Sequence, residues 1–311
     1  MTIAFIHPHK AFLPEIQAYT LFFQSLGVAT ETIYPNQVSK IRTDLEWHFM
    51  GTHLRKKNSL AVVIHEYASL SVPPSRKIKD GFKKKFNLKP DFRLFLNEFV
   101  RNELGFRDQV PFGYRDMGIN EEIFKPGPGA KSKEYDFVFS GSVSRDSKME
   151  KLLDQFSKGS MKSKKILVLS RDYEKIMQKY SSSANIIFKG PLNQQEVAEH
   201  LRRSSFALDI KALIEPYIHQ TSTKFLEYLA CRVPTISTDT PWLRSFQSRY
   251  GGQYFYLKDD LSNFRWEEIT RFQYNFPNLK DWSWREQIVK SGVLDFLKKK
   301  FPSINWPALS P

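Results

Sequence analysis

The chain has 311 residues, 47 Lys and Arg against 33 Asp and Glu, and a net charge of +14. This length suits two domains of ordinary size, and 41 % hydrophobic with 26 % charged residues excludes disordered and low-complexity classes. A single cysteine, Cys231, excludes an intrachain disulfide framework or a Cys-based zinc site, and suits a reducing compartment.

Short apolar runs alternate with helical patterns along the chain. Ile3–Ile6 reads as a strand, Phe12–Leu26 as a helix, Val28–Ile33 as extended, and Leu60–Ile64 as a buried strand. A strand so near the first residue leaves no place for a secretory signal, and no stretch of about 18 uncharged apolar residues predicts a membrane span. The expectation is a cytoplasmic protein. Further strands are predicted at Arg93–Leu96 and Gln109–Phe112. The segment from Gly118 to Lys133 contains Pro126, Gly127, Pro128 and Gly129 without apolar periodicity, and reads as a linker.

The alternation then restarts. Strands are expected at Phe137–Phe139, Ile166–Leu169, Ile186–Phe188, Phe206–Ile210 and Thr235–Ser237, with helices at Lys148–Phe156, Gln195–Arg203 and Lys224–Ala230. Asp281–Lys300 reads as one long closing helix. The pattern predicts an α/β protein of two Rossmann-like domains facing each other across a cleft. The expected boundaries are 1–125, 126–280, and a helical segment 281–311 that packs back toward the first domain.

The excess charge has one dense patch. Arg76, Lys77, Lys79, Lys83, Lys84, Lys85 and Lys89 are opposed there by Asp80, and Pro73 and Pro74 precede them as a helix start. Ile78, Phe82 and Phe86 recur every four residues, so the stretch reads as a basic amphipathic helix. Its apolar stripe can pack on a sheet with the lysines solvated, or the basic face can lie on an anionic membrane surface, and the two readings are compatible. No nucleic-acid-binding motif accompanies the charge, so nucleic acid is not expected as a partner.

The segment 221–238, T-S-T-K-F-L-E-Y-L-A-C-R-V-P-T-I-S-T, carries most of the chemical information. Ser222 or Thr223 can cap a helix whose buried face is Phe225, Leu226 and Leu229. Lys224 in the first turn opposes the helix dipole, and a bound phosphate would reconcile the two. Glu227, one turn on, can accept hydrogen bonds from two ribose hydroxyls. The bland alternative is a surface Lys224–Glu227 pair.

This segment resembles the P-x-K-x-x-E-Y-L-A-x-G-x-P pattern of retaining GT-B glycosyltransferases of the family-four (group 1) type. The segment 136–148, D-F-V-F-S-G-S-V-S-R-D-S-K, is similar to the family's strand and glycine turn followed by Arg and Lys. The segment 186–201, I-I-F-K-G-P-L-N-Q-Q-E-V-A-E-H-L, is similar to its V-x-F-x-G strand and helix. The resemblance implies that Glu227 binds the ribose of a nucleotide sugar. It further implies that Gly141, Arg145, Lys148, Ser222, Thr223 and Lys224 surround its diphosphate.

Some positions depart from the pattern. His219 stands where the family has a second Glu against the donor sugar, and Arg232 replaces the glycine after the helix. His7, Pro8, His9 and Lys10 replace a glycine-rich first loop. His7, His9 and Lys10 are therefore candidate cleft or acceptor residues. His65 and Glu66 follow the Leu60–Ile64 strand and would face the same cleft, Glu66 as acceptor-side base or hydroxyl ligand, or else as a structural residue. His65, Glu66 and His219 make up the candidate catalytic set. Asp239 reads as a helix cap.

The implied reaction transfers a sugar from a nucleotide sugar to an acceptor hydroxyl, with retention and with no metal or resident cofactor. The acceptor would be a glycan or lipid-linked saccharide, as in cell-surface polysaccharide, lipopolysaccharide or glycolipid synthesis, with the enzyme peripheral on the cytoplasmic membrane face. Two alternatives stay open: a nucleotide-sugar epimerase of the same fold, and a membrane-docked adaptor without activity.

Overall fold

The computed structural model describes residues 1–8, 13–38, 42–49, 51, 53–54, 60–71, 75–127, 133–143 and 147–307. His9, Lys10, Pro73, Pro74 and Arg145 lie outside the described residues. The chain divides into two compact units, Met1–Gly118 with Asp281–Pro311, and Ile119–Lys280.

In the first unit the order is β1 (Thr2–Ile6), α1 (Pro14–Ser25), β2 (Ala29–Ile33), β3 (Leu45–Phe49), β4 (Val62–Tyr67), α2 (Arg76–Phe86), β5 (Phe92–Phe95), α3 (Glu98–Leu104) and β6 (Phe112–Tyr114). Its sheet is fully parallel, in the order β2-β1-β3-β4-β5-β6. Phe5, Trp47, Ile64 and Phe92 share one face by register and build the core on that side. The sequence pattern does not find β3: its residues Leu45–Phe49 are buried throughout, but Glu46 and His48 interrupt the apolar run. Nor does it find α3, which Asn97 caps by accepting from Val100 N at 3.0 Å.

The second unit runs β7 (Tyr135–Ser140), α4 (Ser147–Ser157), β8 (Ile166–Leu169), α5 (Glu174–Lys179), β9 (Ile186–Lys189), α6 (Gln194–Arg202), β10 (Ser204–Asp209), α7 (Thr223–Ala230), β11 (Thr235–Thr238), α8 (Pro241–Tyr250), β12 (Phe255–Leu257) and α9 (Trp266–Arg271). Its sheet is again parallel, in the order β12-β11-β10-β7-β8-β9. The chain winds outward from β7 in one direction and from β10 in the other. Ligands of open parallel sheets sit beyond the carboxyl ends of strands at such a switch point. Asn193 and Glu196 form a reciprocal capping box on α6. Thr240, rather than Asp239, caps α8 by accepting from Leu243 N, while Asp239 pairs with Arg244.

Residues 119–125, expected in the first domain, sit in the second unit, where Phe124 packs among Val138, Leu167 and Tyr228. The closing helix is two helices, α10 (Trp284–Lys290) and α11 (Val293–Lys300), because Gly292 breaks it with a φ of 75°. Trp284, Ile288, Leu294 and Leu297 join the core of the first unit.

His65 and Glu66 stand in the interior of the first unit, not at its surface. Adjacent strand residues point to opposite faces, and His65 is 0 % and Glu66 2 % exposed. Glu66 forms an ion pair with Arg115 and accepts hydrogen bonds from Trp47 Nε1 (2.8 Å) and the Tyr19 hydroxyl (3.2 Å). Arg115 also reaches Glu15 at 3.3 Å. This carboxylate is thus consumed by structure and cannot act as an acceptor-side base. Two buried carboxylates share one guanidinium, so removing it would strand both. Arg115→Met should cost about 3–5 kcal/mol, measured by urea unfolding, whereas Lys125→Met, at an exposed ion pair, should change stability by under about 1 kcal/mol.

Candidate functional site

The second unit gathers most of the described nucleotide-site candidates where β7 and β10 end. β7 runs into Gly141, whose φ of 144° disfavours any side chain, and Gly141 N donates to Leu169 O at 2.9 Å. A Cβ at Gly141 would stand 3.9 Å from Lys224 Cδ, so the glycine turn and the first turn of α7 are neighbours. Lys224 folds across the two strand ends. Its ammonium donates to Ile210 O at 2.8 Å, lies 3.5 Å from Asp209 Oδ1, and sits over the Phe139 ring at 4.4 Å.

Asp209, the last residue of β10, is the organiser of this corner and carries no signal in the motif. Buried, it accepts from Ser222 Oγ (2.7 Å) and Ser237 Oγ (3.1 Å) while facing Lys224. Ser222 does occupy the cap position of α7, but its hydroxyl serves Asp209 and makes no cap hydrogen bond. The first turn of α7 therefore receives no cap from Ser222. Tyr228, also missed, packs beneath β7 and its hydroxyl accepts from Ser140 N at 2.9 Å.

Glu227 is one turn into α7, partly accessible. Burial alone pushes its carboxyl up to about 8, and among the described residues no cation or hydrogen-bond donor meets it. The surface Lys224–Glu227 pair is not formed, since Lys224 turns toward Asp209 instead. After the helix, Arg232 takes the left-handed φ of 56° that the family's glycine would adopt without strain, and it lies over the Phe276 ring at 5.6 Å.

His219 belongs to a 3-10 turn, Tyr217–His219, and is partly buried. Lys211 holds that turn from below, donating to Tyr217 O and Gln220 O. Lys148 begins α4 as expected, yet its ammonium pairs with Asp259 at 2.8 Å, on the loop after β12. In the first unit His7 is buried at the end of β1, its ring edge-on to Phe49. The basic helix α2 differs from the packed alternative: Ile78 is 75 %, Phe82 42 % and Phe86 51 % exposed. Asp80 points inward instead, accepting from Ser71 N at 3.1 Å.

No family model matches the chain, and no curated protein matches it in sequence. Solved structures do match. Sucrose-phosphate synthase from Thermosynechococcus elongatus superposes with a TM-score of 0.63 at 13 % identity, covering 97 % of this chain and 94 % of that one. HepE from Anabaena, solved with UDP-glucose, gives 0.59 at 9 %, covering 97 % and 95 %. A Listeria monocytogenes protein assigned as a UDP-N-acetylglucosamine 2-epimerase gives 0.61 at 10 %, covering 100 % and 99 %. The chain has the GT-B fold of these proteins, two Rossmann-like units each built on a six-stranded parallel sheet.

Proposed function

We propose that this chain is a glycosyltransferase that moves a sugar from a nucleotide-sugar donor to an acceptor hydroxyl. The observation that carries the reading is the corner of the second unit where α7, whose Ser222 makes no cap hydrogen bond, begins beside the Gly141 turn and carries the carboxylate Glu227, which meets no cation or donor among the described residues. Backbone N–H groups and the helix dipole at the start of α7 suit a diphosphate, and the bare Gly141 backbone lets it approach. Lys224 adds positive charge, already partly offset by Asp209. Glu227 supplies the acceptor for ribose hydroxyls. Leaving-group charge would be stabilised by these groups without a metal, and the configuration at the sugar retained. His219, Lys148 and Arg145 remain on the donor side of the proposal, and His7, His9 and Lys10 on the acceptor side. Glu66 and His65 have no part in it.

The exposed stripe of α2 supports a lipid-linked acceptor reached at an anionic membrane face, with the enzyme working from the cytoplasm in glycolipid or polysaccharide synthesis. Lysines flank Phe82 and Phe86, so electrostatic attraction and shallow aromatic insertion would act together. Among the described residues no helix is long and apolar enough to cross a membrane. The Listeria neighbour supports a second reading, epimerisation of the nucleotide sugar. Turnover of donor with no acceptor present would favour it.

Three outcomes test the proposal. In calorimetry against UDP, with other nucleoside diphosphates as comparison, Glu227→Ala should weaken binding by about tenfold or more, the cost of one charge-assisted hydrogen bond or two. Ribose hydroxyls bind the ionised carboxylate, so binding to the wild type at pH 7 should release up to about one proton, seen as a buffer-dependent heat. Glu227→Gln should release none, and equal proton release by both would remove Glu227 from the site.

The free protein should show the same carboxyl in its stability. Folding raises the Glu227 value from 4.5 to about 8, so the folded state holds a proton that the unfolded state has lost between those values. The wild type should match Glu227→Gln near pH 4 and fall behind it as pH rises to 8, by about 2 kcal/mol after allowing for partial exposure. Above 8 the gap should stay constant.

For the membrane, vesicles with anionic lipid should pellet the wild type, and added salt should release it. Phe82→Ser with Phe86→Ser should pellet less, and equal pelleting on neutral vesicles would end the docking proposal.

A further inference from the structure

The face of the first sheet opposite the aromatic core carries an unusual polar cluster. Glu46 and His48 stand two apart on β3, so both point to that face, and His65 is the register partner of His48 on β4. His53 follows β3 and folds back so that its ring stacks on His48, centroids 3.7 Å apart and planes 19° apart. Glu46 Oε2 lies 3.1 Å from His48 Nε2, and His53 Nδ1 lies 3.0 Å from His65 Nε2. All four side chains are buried, at 3, 6, 7 and 0 % exposure for Glu46, His48, His53 and His65.

We propose that Glu46, His48 and His53 bind one divalent transition-metal ion of the zinc class. One ligand atom from each of the three lies within 4.8 Å of the other two. Ligands about 2.0–2.1 Å from a shared zinc ion are separated by roughly 3.3–4 Å, and an ion lies near the plane of each ring it binds, so the His48 and His53 rings must turn out of their stacked arrangement to complete the set. Two imidazoles and one carboxylate suit zinc, cobalt or nickel, whereas magnesium and calcium select oxygen donors.

His65 stands behind this set as a positioning residue. Its Nε2 meets His53 Nδ1, which assigns Nε2 of His53 to the ion, and the Tyr67 hydroxyl contacts His65 Nδ1 at 3.5 Å. Such outer hydrogen bonds fix the orientation of a ligating ring. The consequence is mechanical. His53 N donates to Asn87 Oδ1 and His53 O accepts from Leu88 N, both at 2.8 Å, so the ion would tie the sheet to the chain leaving the basic helix α2. The inference is independent of the sugar-transfer reading, because it concerns only the first unit.

The test uses the untagged full chain, stripped with a chelator and dialysed. Zinc added to it should bind with one equivalent per chain by elemental analysis, raise the melting temperature, and be exchangeable for cobalt with the visible spectrum of a nitrogen- and oxygen-ligated ion. Magnesium should do none of these. His48→Ala should weaken zinc binding by more than about 100-fold, and His65→Gln by about 10–100-fold. Glu46→Gln, which keeps size and shape, guards against a variant that merely fails to fold and should also bind more weakly while keeping the native circular dichroism. A stripped wild type that takes up no zinc and melts at an unchanged temperature would overturn the proposal. So would folded Glu46→Gln and His48→Ala proteins that bind zinc as the wild type does.

Discussion

A parallel sheet is covered on both faces, so every polar side chain placed on one of its central strands must find its partner inside the protein. That constraint accounts for most of what is distinctive in this chain. Glu66 lies beneath a guanidinium from the segment after β6, Asp209 gathers two serines and a lysine, and the histidines of β3 and β4 meet one another. In each case a group that looks reactive in the linear sequence is held by residues far from it in the chain.

The two units use the constraint differently. In the first, the Glu66–Arg115–Glu15 group ties α1, β3 and β4 to the chain beyond β6, with Trp284 of α10 against the guanidinium at 5.4 Å. The C-terminal segment thereby becomes part of a core whose strands lie at the other end of the chain. In the second, Asp209 draws the Ser222 hydroxyl away from the helix end it would otherwise cap. The amino end of α7 thereby loses its Ser222 cap, because a buried carboxylate has claimed the side chain best placed to provide it.

The same reasoning explains the contrast between two glutamates. Glu66 has a cation and two donors, and its charge belongs to the fold. Glu227 has burial without a cation or donor among the described residues, and that burial raises its proton affinity. Arg232 holds the left-handed turn after α7 with a side chain, at the cost of backbone strain, and lies over Phe276.

The alternation of strand and helix was legible from the residues alone, because apolar periodicity is a local property: β1, β7, β8 and β11 fall within a residue or two of their expected places. So was α7 with Lys224 and Glu227, since a helical motif keeps its spacing whatever surrounds it. β3 was not legible, because its polar residues satisfy each other only once β4 and the chain after β3 are beside it. The buried fate of His65 and Glu66, the inward turn of Lys224 and the exposed stripe of Ile78, Phe82 and Phe86 were likewise undecided by sequence. Periodicity gives a helix a face but does not say which way the face points. Charge gives a residue a chemistry but does not name its partner. Both were decided by tertiary packing, in which residues such as Glu15, Glu66 and Arg115 come within reach across long stretches of chain.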